Sequence, residues 1–184
     1  VARMGPVFGA ALGRLQAAHP TMRMVVPAAP AVAEAVVQEV ATWPVSPLVL
    51  DPRGTPLDEA LAEKRVAFGA ADVALATSGT VSLELAAAGT PMVSAFDLHW
   101  LSRAIISRMV TTDTGRLINH VSATRVAPLV VGRDMTADNT VAAMEALLAD
   151  PEPQRAAMSL TMDRLGRGGE APGLRAARAV LNRL

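Results

Sequence analysis

The sequence predicts an α/β fold: a doubly wound, Rossmann-like parallel sheet with helices on both faces. Three observations carry that prediction. Strand-like segments are only three to five residues long and apolar throughout, as strands covered on both faces must be. Each is followed by a helical pattern long enough for a crossover connection. Finally, 184 residues with 51% hydrophobic content fit one domain with its own core.

The elements follow in order. Phe8, Ala11, Leu12 and Leu15 share one face at helical period, with Arg14 and Gln16 outside it. His19-Pro20 breaks that helix, and Met22 to Val26 reads as a strand ending at Pro27. Pro30 opens a helix from Ala31 to about Ala41, closed by Trp43-Pro44. Leu48 to Leu50 is a second buried strand, with a turn at Asp51-Pro52-Arg53-Gly54. Leu57 to Phe68 is helical, and Asp58 and Glu59 suit its first turn. Val73 to Ala76 is a strand, Thr80 to Ala88 a helix and Met92 to Ala95 a strand. Leu98 to Met109 is helical, Asn119 to Ala127 a looser stretch, and Leu129 to Val131 the last strand. Helices then span Ala137 to Leu148, Glu152 to Leu165 and Leu174 to Leu184, with Gly166, Gly168 and Gly169 as the hinge before the last. A chain that opens on a helix and then alternates strand and helix reads as a domain whose first strand lies upstream. Residues 1–184 are expected to form one ligand-binding domain with five strands in view.

Composition narrows the function. Seventeen basic and seventeen acidic side chains balance, so no field gathers a nucleic-acid backbone. The basic residues are sixteen Arg and one Lys, Lys64, beside 36 Ala, a compositional habit. No Cys is present, which excludes thiolate zinc sites, disulfides and a cysteine nucleophile. No Tyr and only five other aromatics argue against stacking on single strands. No apolar run is long enough to span a bilayer, and a cytoplasmic location is expected.

The most informative segment is residues 72–95, DVALATSGTVSLELAAAGTPMVSA. Thr77-Ser78-Gly79-Thr80 fills the turn that delivers a strand into a helix, at the sheet edge where ligands of such folds bind. Free amides of a helix's first turn, with hydroxyls beside them, hold phosphate without a metal. Two readings stay open there: Ser78 or Thr80 caps the helix, or the turn binds an anion. Glu84 lies one turn below Thr80 among apolar neighbours on a helix that reads as largely buried. A carboxylate so placed meets solvent in a cleft or accepts hydrogen bonds from a partner, and ribose hydroxyls suit it. Gly89-Thr90-Pro91 ends the helix. His99, His120 and His19 read as helix-start, loop and helix-end histidines, and no metal site is expected. Arg103 and Arg108 read as solvated surface. No GxGxxG, Walker loop or Gly-x-Ser-x-Gly elbow is present.

The run ATSGTVSLELAAAGTPMVSAF resembles the nucleotide-sugar-binding segment of lipid-A-disaccharide synthases, a family with the two-domain GT-B glycosyltransferase fold. Ser-Gly-Thr, the spaced Leu-Glu and Pro-Met-Val are all present. Trp100 to Arg108 resembles the family's following helix, and Leu117-Ile118-Asn119 its Leu-Pro-Asn stretch, with Ile118 in place of Pro. Met4 to Ala18 resembles the helix after the family's Leu-Pro-Gly-Ser-Arg loop, which this sequence lacks. The resemblance is strongest over residues 72–121.

It implies the C-terminal, donor-binding half of such an enzyme, without the N-terminal acceptor domain or its catalytic base. The implied reaction moves diacylglucosamine from UDP to diacylglucosamine 1-phosphate, at the cytoplasmic face of the inner membrane with peripheral contact and no metal or cofactor. Ser78, Gly79 and Thr80 would hold the diphosphate, Glu84 the ribose, and Asn119 would lie near the diphosphate or sugar. The fragment alone would bind UDP weakly and transfer nothing. Alternatives are a related GT-B transferase, a UDP-GlcNAc 2-epimerase domain, or a non-catalytic nucleotide-binding α/β module. The amphipathic C-terminal helix, with Arg175, Arg178 and Arg183 on its polar side, suits packing on a partner domain or an anionic membrane, with packing within the chain the commoner outcome.

Overall fold

A computed structural model describes residues 3–77, 79–97 and 117–182. Among the described residues five parallel strands alternate with helices as the sequence predicts: β1 Val25–Pro27, β2 Leu48–Leu50, β3 Ala74–Ala76, β4 Met92–Phe96 and β5 Leu129–Val131. The helices are α1 Gly5–Ala18, α2 Ala33–Val40, α3 Leu57–Ala70, α4 Val81–Ala88, α5 Leu117–Ser122, α6 Ala137–Ala149, α7 Glu152–Arg164 and α8 Pro172–Leu181. Single 3-10 turns at Pro30–Val32 and Gly132–Asp134 precede α2 and α6. The first shortens the expected helix from Ala31 at its start, because Pro30 sets a tight turn that α2 takes over only at Ala33.

The strands do not hydrogen-bond as one sheet. They form a pair, β1–β2, and a trio in the order β3–β4–β5, every ladder parallel. The trio is doubly wound, because β4 alternates at period two between two apolar clusters. Val93 and Ala95 face Leu15 of α1 and Met144 and Leu147 of α6. Met92 turns the other way, to Leu85 and Ala86 of α4, Ile118 of α5 and Met158 of α7. The pair is barer: Val25 and Leu48, partners in its register, are 43% and 62% exposed.

Glycine spacing seats α2's end on α1. Gly5, Gly9 and Gly13, four residues apart, lie along one side of α1. A Cβ at Gly9 would stand 2.6 Å from the Trp43 ring, and one at Gly13 2.7 Å from Pro44. The Trp43 indole N–H is buried with no hydrogen-bond partner among the described residues.

Two expectations are corrected. Asn119 lies in a short helix, α5, and not in a loose stretch. α8 does not bury its apolar side within the described residues: Leu174, Val180 and Leu181 are 61–68% exposed. Its arginines make surface contacts instead, Arg175 donating to the Leu165 carbonyl and Arg178, itself 67% exposed, pairing with Glu170 at 2.7 Å.

Candidate functional site

In a parallel sheet all strands end on one edge, so the loops after β3, β4 and β5 open together. Thr77, Gly79 and Thr80 follow β3, Asp97 follows β4 and Gly132 follows β5. Arg3, just ahead of α1, meets Asp97 through Nε at 3.2 Å, which brings the start of α1 to the same edge.

The β3–α4 turn is shaped by Gly79, whose φ of 143° lies where side chains are strained. A Cβ there would meet nothing within 4 Å, so the demand is conformational and the space above the turn is open. Thr80 occupies the N-cap position with helical dihedrals and makes no side-chain cap bond. The capping reading is therefore not realised by Thr80. Ser82 instead folds its hydroxyl back onto the Gly79 carbonyl at 2.6 Å. The Leu83 and Glu84 amides both donate to the Thr80 carbonyl, while those of Thr80 and Val81 reach no backbone acceptor among the described residues. Amides left open at the positive end of a helix attract an anion, by about 0.3–1 kcal/mol per charge at an exposed terminus. Ser78 lies outside the described residues.

Glu84 departs from expectation. α4 is not largely buried: only Ser82, Leu85 and Ala86 are, and Ala87 and Ala88 are exposed. Glu84 points out of the exposed side, 44% accessible, and its Oε2 pairs with Lys64 Nζ of α3 at 2.6 Å. The carboxylate is thus tied to a neighbour but stays open to solvent, one turn below Thr80.

Asn119 is 5% exposed and bonded within the protein. Its Nδ2 donates to the Ala127 carbonyl at 3.2 Å, and its Oδ1 accepts from the Ala127 amide at 3.0 Å. That double clasp ties α5 to the approach of β5, a role the sequence reading did not assign. The structure brings Gly79, Thr80 and Glu84 onto one helix end and buries Asn119 apart from them, bonded to Ala127.

The histidines take other work. His19 Nε2 meets the Glu145 carboxylate at 2.9 Å and joins α1 to α6, while His120 is exposed on α5. His99, Trp100, Arg103 and Arg108 lie outside the described residues. Among the described residues no three His, Asp or Glu side chains are grouped to hold a metal ion.

The profile of the lipid-A-disaccharide synthetase family matches residues 1–176. The chain belongs to the lipid-A-disaccharide synthetase family. Across its full length it is 59% identical to the lipid-A-disaccharide synthase of Ruegeria pomeroyi, covering 46% of that protein. It is 36% identical to the synthase of Rhodospirillum centenum over 99% of this chain and 44% of that one. The synthase of Bradyrhizobium diazoefficiens is likewise 36% identical, over 95% and 43%. As a lipid-A-disaccharide synthetase family member, the chain spans about half the length of the curated relatives it matches.

Proposed function

We propose that this chain is the donor-nucleotide half of a glycosyltransferase that moves diacylglucosamine from its UDP derivative to diacylglucosamine 1-phosphate. The observation that carries the reading is the start of α4, where Thr80 makes no cap bond and the Thr80 and Val81 amides reach no backbone acceptor among the described residues, above an accessible Glu84. The amides and hydroxyls of residues 78–80 receive the diphosphate, and Glu84 accepts from the ribose hydroxyls. Asn119 serves as a buried clasp, holding α5 and the β5 approach in place. When the sugar leaves, negative charge grows on the diphosphate, and amides already aimed at it stabilise that charge without reorganising.

In this reading the pair β1–β2 and the trio β3–β4–β5 are two parts of one sheet, completed by a further parallel strand between β1 and β3. The acceptor site and catalytic base belong to polypeptide outside this chain, which alone transfers nothing. The lipid tails of both substrates bring the enzyme to the cytoplasmic face of the inner membrane as a peripheral protein. No helix among the described residues is long and apolar enough to cross a membrane.

Titration calorimetry with UDP, ADP and pyrophosphate tests the reading. UDP is expected to bind more tightly than ADP, and Glu84→Ala to weaken UDP about tenfold while leaving pyrophosphate unchanged, as for one lost hydrogen bond to a charged group. Equal responses to UDP and ADP would overturn it.

A further inference from the structure

Lys64, the single lysine beside sixteen arginines, stands on α3 opposite Glu84. Its ammonium is held from two sides. Oε2 of Glu84 lies 2.6 Å from Nζ, and the Phe68 ring centroid, one turn further along α3, lies 5.8 Å from it. Phe68 is itself packed against the cluster that contains Leu85 and Ala86 of α4. The lysine is only 29% exposed, so its stem lies in the α3–α4 contact with the head fixed at the rim. Glu84 is 44% exposed, so the paired carboxylate keeps its access to solvent.

The type of cation matters. A guanidinium placed here would engage both carboxylate oxygens as a fork, whereas an ammonium is a point charge that takes one. We infer that Lys64 is a positioning residue for Glu84: its ion pair at Oε2 fixes the carboxylate, which stays 44% exposed to accept the sugar hydroxyls of a nucleoside diphosphate. The inference rests on the reading of Glu84 as the ribose-binding carboxylate. It assigns the Lys64–Glu84 pair to ligand recognition and not merely to the joint between two helices.

The experiment measures UDP, 2′,3′-dideoxy-UDP and pyrophosphate binding to the chain and to its Lys64→Met, Lys64→Arg and Glu84→Gln variants. The decisive quantity is the affinity ratio of UDP to its dideoxy analogue, which a purely structural role would not move. Both Lys64 variants are expected to lower that ratio about threefold, the scale of an exposed ion pair, with pyrophosphate affinity unchanged. Lys64→Arg does so although it keeps the charge, because it occupies the second oxygen. If Lys64→Met does not fold, Lys64→Gln makes the same comparison. A wild-type ratio retained in either folded variant, while Glu84→Gln abolishes it, overturns this inference and leaves the ribose reading standing. A ratio of one in the unaltered chain overturns the ribose reading, and this inference with it.

Discussion

Gln154 stands in for a missing strand beside Met92. β5 reaches β4 only at Ser94, paired with Leu129, so the backbone of Met92 faces that side without a ladder partner. Gln154, 1% exposed on α7, accepts from the Met92 amide and donates to its carbonyl at 3.0 Å, with a second donation to the Val126 carbonyl at 3.3 Å. A side-chain amide carries one donor end and one acceptor end, which is what a backbone peptide offers.

Replacing Gln154 by Leu removes that substitute and leaves a buried N–H and a buried C=O unpaired. A loss of about 3 kcal/mol in unfolding free energy is expected from urea titration, within the range for stranded buried polar groups. A loss under 0.5 kcal/mol would show that the bonds at Met92 are dispensable.

Gly9→Ala is expected to destabilise by about 1–3 kcal/mol, the ordinary effect of overpacking, because its Cβ would enter the Trp43 ring. The neighbouring indole is also the place for relief. A second change, Trp43→Leu, is expected to recover part of the loss, since it clears the clash and removes the unpartnered buried N–H. Thermal melts of the two single variants and the double variant decide this.

Arg53 binds two carboxylates, Asp51 across the turn and Glu34 on α2. Its hydrogen bonds and charge hold both carboxyls below their ordinary values of 3.8 and 4.5. Groups so depressed on folding stabilise the native state above their unfolded pKa, and that contribution fades as pH falls through the folded value. All three side chains are solvent-accessible, so the effect is small and screened by salt. Arg53→Ala is expected to lower the melting temperature slightly at neutral pH and low ionic strength. The difference should vanish well below pH 4; a difference that persists there would mean the arginine acts through packing.

Gly79→Ala tests the proposed phosphate-holding turn separately from the proposed ribose contact. The methyl has room, but the φ of 143° strains any side chain, and about 1–2 kcal/mol of stability is expected to go. If the turn shifts to relieve that strain, UDP and pyrophosphate weaken together, unlike the UDP-only effect expected for Glu84→Ala. Calorimetry showing pyrophosphate binding untouched would dissociate the turn from the anion.

The β3–α4–β4 unit was legible because every local signal there agrees: short apolar strands, a glycine turn, and Gly89 with Pro91 after the helix. Gly89 does adopt left-handed backbone, φ 76°, at the end of α4. What sequence concealed was long-range. Lys64 and Glu84, or Gln154 and Met92, meet only through tertiary packing, and no spacing rule links them. Asn119 looked like part of a loop because its Asn-His-Val-Ser-Ala-Thr surroundings disfavour helix. Burial of Ile118 and the clasp on Ala127 override that weak preference. The Gly5, Gly9 and Gly13 spacing takes its meaning only from the close approach of Glu39, Trp43 and Pro44.

The division of the strands into a pair and a trio also sets where the molecule yields. Among the described residues no ladder joins Val25–Pro27 to Ala74–Ala76, so no row of backbone hydrogen bonds braces the seam between them against shear. Amide protons of the pair would exchange with deuterated water ahead of those in β4, and a slow mechanical pull would peel β1 and β2 away as a unit while the trio stayed intact.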